Sequence, residues 1–149
     1  MGLKGSLTEK NLQKTFANES KARNKYSFFA EIARTEGYQQ IGAIFEETAN
    51  NEREHAKIAY RFLNGLDNTI DNLRNAINNE KAEASRIYKE YEDTARREGL
   101  PELADFFKEL AEAEEHHRER FQKLLNNLLA CDVLKNNVFK KDQPVRWKC

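Results

Sequence analysis

The chain repeats itself at an offset of 62 residues. Tyr26, Ala33, Arg34, Glu36, Gly37, Phe45, Glu47, Ala49, Glu52 and His55 pair with Tyr88, Ala95, Arg96, Glu98, Gly99, Phe107, Glu109, Ala111, Glu114 and His117. A repeat of this length is one supersecondary unit used twice. Each copy holds two stretches of helical period separated by a glycine, so the unit is a helical hairpin. Two hairpins make an all-α four-helix bundle. Six glycines and two prolines in 149 residues, beside abundant Glu, Lys, Ala, Leu and Arg, suit long helices.

The ends of the helices are marked. Ser6-x-x-Glu9 forms a capping box that opens the first helix, which runs to Glu36 with Gly37 as its stop. The second runs from about Tyr38 to Asn64, stopped by Gly65. Thr69 or a neighbour caps the third, which ends before Gly99; Pro101 opens the fourth, which runs to about Leu129. The bundle is expected over residues 1–130 and a non-helical tail over 131–149, where VFKKDQPVRWKC reads as extended chain.

Charged residues make up 34% of the chain and cancel to a net charge of zero. That balance argues against nucleic acid or an anionic membrane as partner. No apolar run approaches the roughly 20 residues of a membrane span, and MGLKGSLTEK has no signal-peptide core. Cys131 and Cys149 make no disulfide framework, so a reducing, cytoplasmic setting is expected.

The apolar stripes carry acids. In the second helix the stripe is Ile41, Phe45, Thr48, Glu52, His55, Ala59 and Phe62; in the fourth it is Leu103, Phe107, Leu110, Glu114, His117, Phe121, Leu124 and Leu128. The first helix adds Glu19, and the third adds Glu80 with Glu83 or Ala84. Inward carboxylates repel one another and resist burial. No Lys lies on these stripes, and Arg23 alone cannot offset Glu19, Glu52, Glu80, Glu83 and Glu114. Two divalent cations can. Glu and His at i and i+3 lie side by side, so both reach one ion. A Glu from each of two helices plus Glu-x-x-His from each of the other two is the donor set of a dinuclear carboxylate site. Mixed oxygen and nitrogen donors favour iron or manganese.

Chance must be weighed against this. Nineteen residues are Glu, so any His has roughly a one-in-eight chance of a Glu three positions before it. Two such pairs among three histidines mean little alone. The conjunction of stripe placement, mid-helix position and a contribution from all four helices is what chance does not supply. His116 lies one residue off the stripe and reads as a surface or supporting histidine.

These residues carry a resemblance. FANESKARNKYSFFAEIARTEGYQQIGAIFEETANNEREHA resembles the first half of a rubrerythrin, and NNEKAEASRIY with AEAEEHHRERF resembles the second. The tail VFKKDQPVRWKC is similar to the linker into that family's rubredoxin domain. The resemblance implies a ferritin-like fold and a non-haem diiron site, with an oxo bridge allowed and manganese or zinc able to replace iron. It implies Glu19, Glu52, His55, Glu80, Glu83, Glu114 and His117 as metal ligands, with Glu52 and Glu114 shared by both ions. His55 and Glu83 would alternate on one iron with its oxidation state. Glu83, Tyr26 and Tyr88 would be the catalytic set. The implied activity is reduction of hydrogen peroxide to water in oxidative-stress defence, with electrons from a rubredoxin-type donor. A ferroxidase or oxygen-reducing oxidase, a non-catalytic iron-binding bundle and a manganese catalase are the competing readings.

Three expectations come from departures. The sequence ends at Cys149, where the family's rubredoxin domain would begin its Cys-x-x-Cys pair, so that domain is expected to be missing and the donor external. In ferritin-like bundles the second and third helices run parallel. The link must then span roughly 30 Å, whereas residues 65–69 reach roughly 18 Å. Hairpins exchanged between the two chains of a homodimer are therefore expected. Finally, Glu19 precedes Tyr26 by seven residues but Glu80 precedes Tyr88 by eight, which predicts a π-bulge between Glu80 and Tyr88.

Overall fold

The computed structural model describes residues 2–138, and they are helical nearly throughout. Five α-helices follow one another: α1 Leu7–Thr35, α2 Gln39–Phe62, α3 Thr69–Ala82, α4 Tyr88–Arg97 and α5 Pro101–Val138. The chain divides into two units, residues 1–67 and 68–149. The first is the α1–α2 hairpin. The second sets α3 and α4 against α5. The fold is all-α, of the ferritin-like class. Among the described residues no helix is long and apolar enough to cross a membrane.

α1 begins where the capping residues act. Ser6 Oγ accepts from the Glu9 amide at 3.0 Å. The Glu9 carboxylate reaches back to the Gly5 amide at 2.5 Å, because the Ser6 amide already donates to the Leu3 carbonyl. Ser6→Ala is expected to lower stability by about 1 kcal/mol, read as a shift in urea midpoint; an unchanged midpoint would show that the cap carries no weight. Gly37 and Gly99 take φ of +91° and +74° and close the turns after α1 and α4, as their repeat positions required. Asn68, rather than Thr69, caps α3, accepting from the Asp71 amide at 3.0 Å.

In the first hairpin the helices meet on small residues. Ala30 and Ala33 of α1 face Gly42, Ala49, Ala56 and Ala59 of α2, all buried. A Cβ on Gly42 would lie 2.8 Å from Arg34 Cγ and 3.2 Å from the Ala30 carbonyl oxygen, so a larger residue would push the helices apart. In the second hairpin Ile77, Ala84, Ala95, Ala104, Ala111 and Leu125 are buried.

The π-bulge falls where the repeat demanded it. Residues Glu83–Ile87 form a π-turn between α3 and α4, and the Tyr88 amide donates to the Glu83 carbonyl five residues back. The extra residue is absorbed there, so the hairpins stay in register on either side.

Two boundaries differ from expectation. The left-handed residue after α2 is Asn64, at φ +55°, and not Gly65. The Gly65 amide donates to the Tyr60 carbonyl, which places Asn64 in the turn's left-handed position, one that Asn tolerates. The fourth long helix does not end near Leu129, and residues 131–138 are not a non-helical tail: α5 continues to Val138. No Gly or Pro stands between Pro101 and Pro144 to stop it. The remainder of that expected tail, 139–149, lies outside the described residues.

Candidate metal centre

Each hairpin gathers its own cluster of donors. In the first, Glu19 of α1 meets Glu52 and His55 of α2, with one donor atom from each lying within 4.8 Å of the others. In the second, Glu80 of α3 meets Glu114 and His117 of α5 on the same criterion. The clusters occupy equivalent places in the two repeats. One helical turn separates each Glu from its His, and the side chains touch. His55 Nδ1 lies 2.8 Å from Glu52 Oε2, and His117 Nδ1 lies 2.7 Å from Glu114 Oε2. His117 Nδ1 also stands 4.0 Å from Glu80 Oε2.

The carboxylates are the more enclosed part. The Glu52 and Glu114 side chains are 19% and 15% exposed, whereas His55 and His117 are 60% and 48% exposed. Among the described residues the only ion-pair partners of Glu52, Glu80 and Glu114 are these histidines. Arg23, the cation expected close to the first stripe, bonds Asn24 instead.

Crowding shows in the protonation of the acids. Glu19 is raised above the ordinary glutamate value, chiefly because its carboxyl hydrogen-bonds that of Glu52, with burial and the Glu52 charge adding to it; His55 opposes. Glu80 is raised chiefly by burial, then by its hydrogen bond to Glu114 and the charges of Glu114 and Glu83; His117 opposes. A raised carboxyl contributes stability when protonated, and that contribution is lost as pH rises from the ordinary glutamate value through the raised one. Metal-free protein is therefore expected to melt at lower temperature as pH rises from about 5 to about 8, relative to a Glu19→Gln/Glu80→Gln double variant that stays neutral at both positions. Parallel melting curves for the two proteins would sink this.

The remaining expected residues fall around these clusters. Glu83 belongs to neither three-donor group. It lies in the π-turn, within electrostatic reach of Glu80 and hydrogen-bonded to Tyr88. Tyr88 is raised by burial first, then by the charges of Glu83 and Glu114. Its ring stacks on Phe107 with centroids 6.5 Å apart, and Tyr26 stacks on Phe45 at 6.1 Å in the first hairpin. Phe29 and Tyr91 complete equivalent aromatic triads. That pair was missed in the sequence; the 62-residue offset was the signal, hidden by the change from Phe to Tyr. His116 is exposed, as expected of a residue off the stripe. Cys131 is half-buried on α5.

The donor set fits a pair of divalent ions. Each cluster offers two carboxylates and an imidazole, which are iron, manganese or zinc donors. Its acids repel in the absence of a cation, and no Lys or Arg among the described residues takes that role.

Comparison with known proteins agrees with this geometry. The rubrerythrin family model matches residues 10–71 and 71–138. A rubrerythrin from Clostridium perfringens (strain 13 / Type A) is 42% identical over 164 aligned positions, covering 99% of this chain and 82% of that protein. Rubrerythrins from Porphyromonas gingivalis (strain ATCC BAA-308 / W83) and Nitratidesulfovibrio vulgaris (Hildenborough) are 38% and 39% identical, each covering 99% of this chain and 78% and 81% of their own lengths. With two repeat-related Glu/His clusters on an all-α scaffold, the chain belongs to the rubrerythrin family of diiron proteins associated with oxidative stress.

Proposed function

We propose that this protein is a non-haem diiron peroxidase that reduces hydrogen peroxide to water. The observation that carries the reading is the pair of repeat-related clusters, Glu19–Glu52–His55 and Glu80–Glu114–His117, each assembled within its own hairpin. Those six residues and Glu83 are the proposed ligands. When bound, the two irons supply the two electrons that split the O–O bond.

The chain's own residues do the rest. The carboxylates would act as ligands in their ionised form, and a bound cation would offset the mutual repulsion that contributes to raising Glu19 and Glu80. Peroxide reduction consumes two protons per molecule. Tyr88 keeps its hydroxyl proton at neutral pH, because burial and neighbouring carboxylates disfavour its anion. Its bond to Glu83 then orients that carboxylate beside the cluster. Tyr26 stands at the matching place in the first hairpin, where it lines a groove of about 390 Å³ with Asn18, Lys21, Ala22, Lys25 and Phe29.

Re-reduction falls to an external rubredoxin-type protein in this reading, and the setting is the reducing cytoplasm that suits ferrous iron. The bundle domain is proposed over residues 1–130, with α5 extending beyond it. The test is metal content after anaerobic preparation, followed by peroxide and oxygen consumption with a common chemical reductant. About two irons per chain and faster turnover with peroxide are expected. Faster oxygen consumption would make it an oxidase. Bound iron that does not cycle would make it an iron-holding bundle. Folded protein without metal would end the diiron reading.

A further inference from the structure

The two repeats agree at their donor residues and differ in charge a quarter-turn away. At the 62-residue offset Arg53 and Lys57 of α2 correspond to Glu115 and Glu119 of α5, and Tyr60 corresponds to Gln122. Arg53, Lys57 and Tyr60 lie about 80–140° around α2 from Glu52, at about 100° per residue. The donor stripe does not dictate them, so the basic residues here are a feature of the first hairpin alone.

They line a groove of about 410 Å³ between α1 and α2, formed wholly within the first unit. Its floor is apolar, made by Phe16, Ala56, Tyr60 and Leu66. Ala56 is buried, and Leu66 is 46% exposed. The Phe16 and Tyr60 rings stack 4.6 Å apart and 18° from parallel, and Gly65 approaches Tyr60 too closely to admit a Cβ. The floor is therefore fixed in place.

The rim is basic. Arg23 comes from α1, Arg53 and Lys57 come from α2, and no Asp or Glu lines the groove. Among the described residues Arg23 has no carboxylate partner; its guanidinium donates to Asn24 Oδ1 at 2.9 Å. Arg53 pairs with Glu54 at 2.6 Å, and Lys57 shares that carboxylate at 3.9 Å. Three cations thus answer one acid, and two positive charges are left over an apolar floor. The second hairpin builds the opposite. Its Arg118 stands where the first has Ala56, and the groove that Glu115 lines there also carries Glu92 and Glu112.

A groove of this size, mostly apolar with a few convergent polar groups, suits a small molecule. Two arginines favour a phosphate, which accepts their N–H groups in pairs. A phosphate monoester carries about two negative charges at pH 7, which matches the excess on the rim.

We propose that this groove binds an organic phosphate monoester, with its apolar body on Phe16, Tyr60 and Leu66 and its phosphate on Arg23, Arg53 and Lys57. The proposal is independent of the dinuclear reading, since none of these residues is a donor in either cluster.

1-Naphthyl phosphate tests it, because its fluorescence anisotropy rises when a protein holds it. The full chain at low salt is expected to bind one molecule per chain, about tenfold more tightly than 1-naphthol or than inorganic phosphate read by displacement. Arg53→Glu/Lys57→Glu gives the first hairpin the charges of the second. It should weaken naphthyl phosphate by about tenfold or more and leave naphthol unchanged. Arg53→Gln/Lys57→Gln takes its place if that variant fails to fold. Lys10→Glu/Lys14→Glu makes the same change of charge on α1 outside the groove and should bind as wild type does. Equal weakening in the two charge variants would reduce the attraction to net charge and overturn the proposal. So would wild-type protein that shows no saturable binding. Inorganic phosphate that binds as tightly as the naphthyl ester would leave the apolar floor no part, and overturns it too. Binding lost in Glu114→Ala but kept in the groove variant would put the phosphate on the metals, and the groove would be the wrong site.

Discussion

Glu114→Ala protein is expected to lose its metal pair and to fall in peroxide turnover by about a hundredfold or more. Residues that only support a ligand cost 10- to 100-fold when removed, so a direct ligand starts at the upper end of that range. Glu114 is the most enclosed carboxylate of its cluster at 15% exposed. It touches His117 at 2.7 Å and hydrogen-bonds Glu80. Its removal deprives both neighbours at once. At pH values where both acids are ionised, the metal-free variant should nevertheless fold at least as well as metal-free wild type, because the Glu114 charge that repels Glu80 is gone. This opposite sign separates loss of a ligand from loss of structure. Glu115 supplies the control. It is the next residue on the same helix, but its carboxylate is held by Arg118 in a two-point pair at 2.8 and 2.6 Å. Glu115→Ala should keep the metal. Full metal content in Glu114→Ala, or equal loss in both variants, would remove Glu114 from the ligand set.

The contrast between neighbours shows why these two clusters of donors were legible in sequence. Glu114 and Glu115 are chemically identical, and only the three–four spacing of Leu103, Phe107, Leu110 and Phe121 says which faces inward. That spacing placed Glu19, Glu52, Glu80 and Glu114 in the clusters where the structure has them. Register was legible for a related reason. A one-residue excess between Glu80 and Tyr88 has to be absorbed inside a helix, and the π-turn Glu83–Ile87 absorbs it. What stayed hidden depends on finer balances. Whether Asn64 or Gly65 takes the left-handed position is decided by which carbonyl the following amide reaches, and both residues tolerate it. The end of α5 follows from the absence of a stop, and fading apolar period is a weak substitute for Gly or Pro. Glu83 illustrates another limit. Spacing could not choose between it and Ala84 for the stripe, because the π-turn changes the facing of residues within it. In the structure Ala84 is buried, and Glu83 lies against Tyr88.

Gly65→Ala is expected to destabilise the protein by about 1–3 kcal/mol, the usual cost of forcing extra volume into a packed place. Its backbone is not in the left-handed region, so the cost is one of space. A Cβ on residue 65 would overlap the ring of Tyr60, lying closer to its Cε2, Cζ and Cδ2 atoms than real side chains approach. That ring cannot swing aside freely, because it stacks on Phe16 with centroids 4.6 Å apart and planes 18° from parallel. The Gly65 amide meanwhile holds the Tyr60 carbonyl at 2.9 Å, which fixes the backbone beneath it. An alanine must therefore break either the stack or the turn. A double-mutant cycle separates these costs. With Tyr60→Leu in the background the ring is gone, and the penalty of Gly65→Ala in urea midpoint should largely disappear. An equal penalty in both backgrounds would place the strain in the backbone and acquit Tyr60. The outcome bears on the connection between the hairpins, because this turn consumes half of the six residues between α2 and α3. If alanine at 65 opens the turn, residues 63–65 join the connection and lengthen it to about 20 Å. The variant should thus lose stability and keep its helices. A neutral Gly65→Ala would mean that the Tyr60 ring yields easily, and that the connection is not pinned by it.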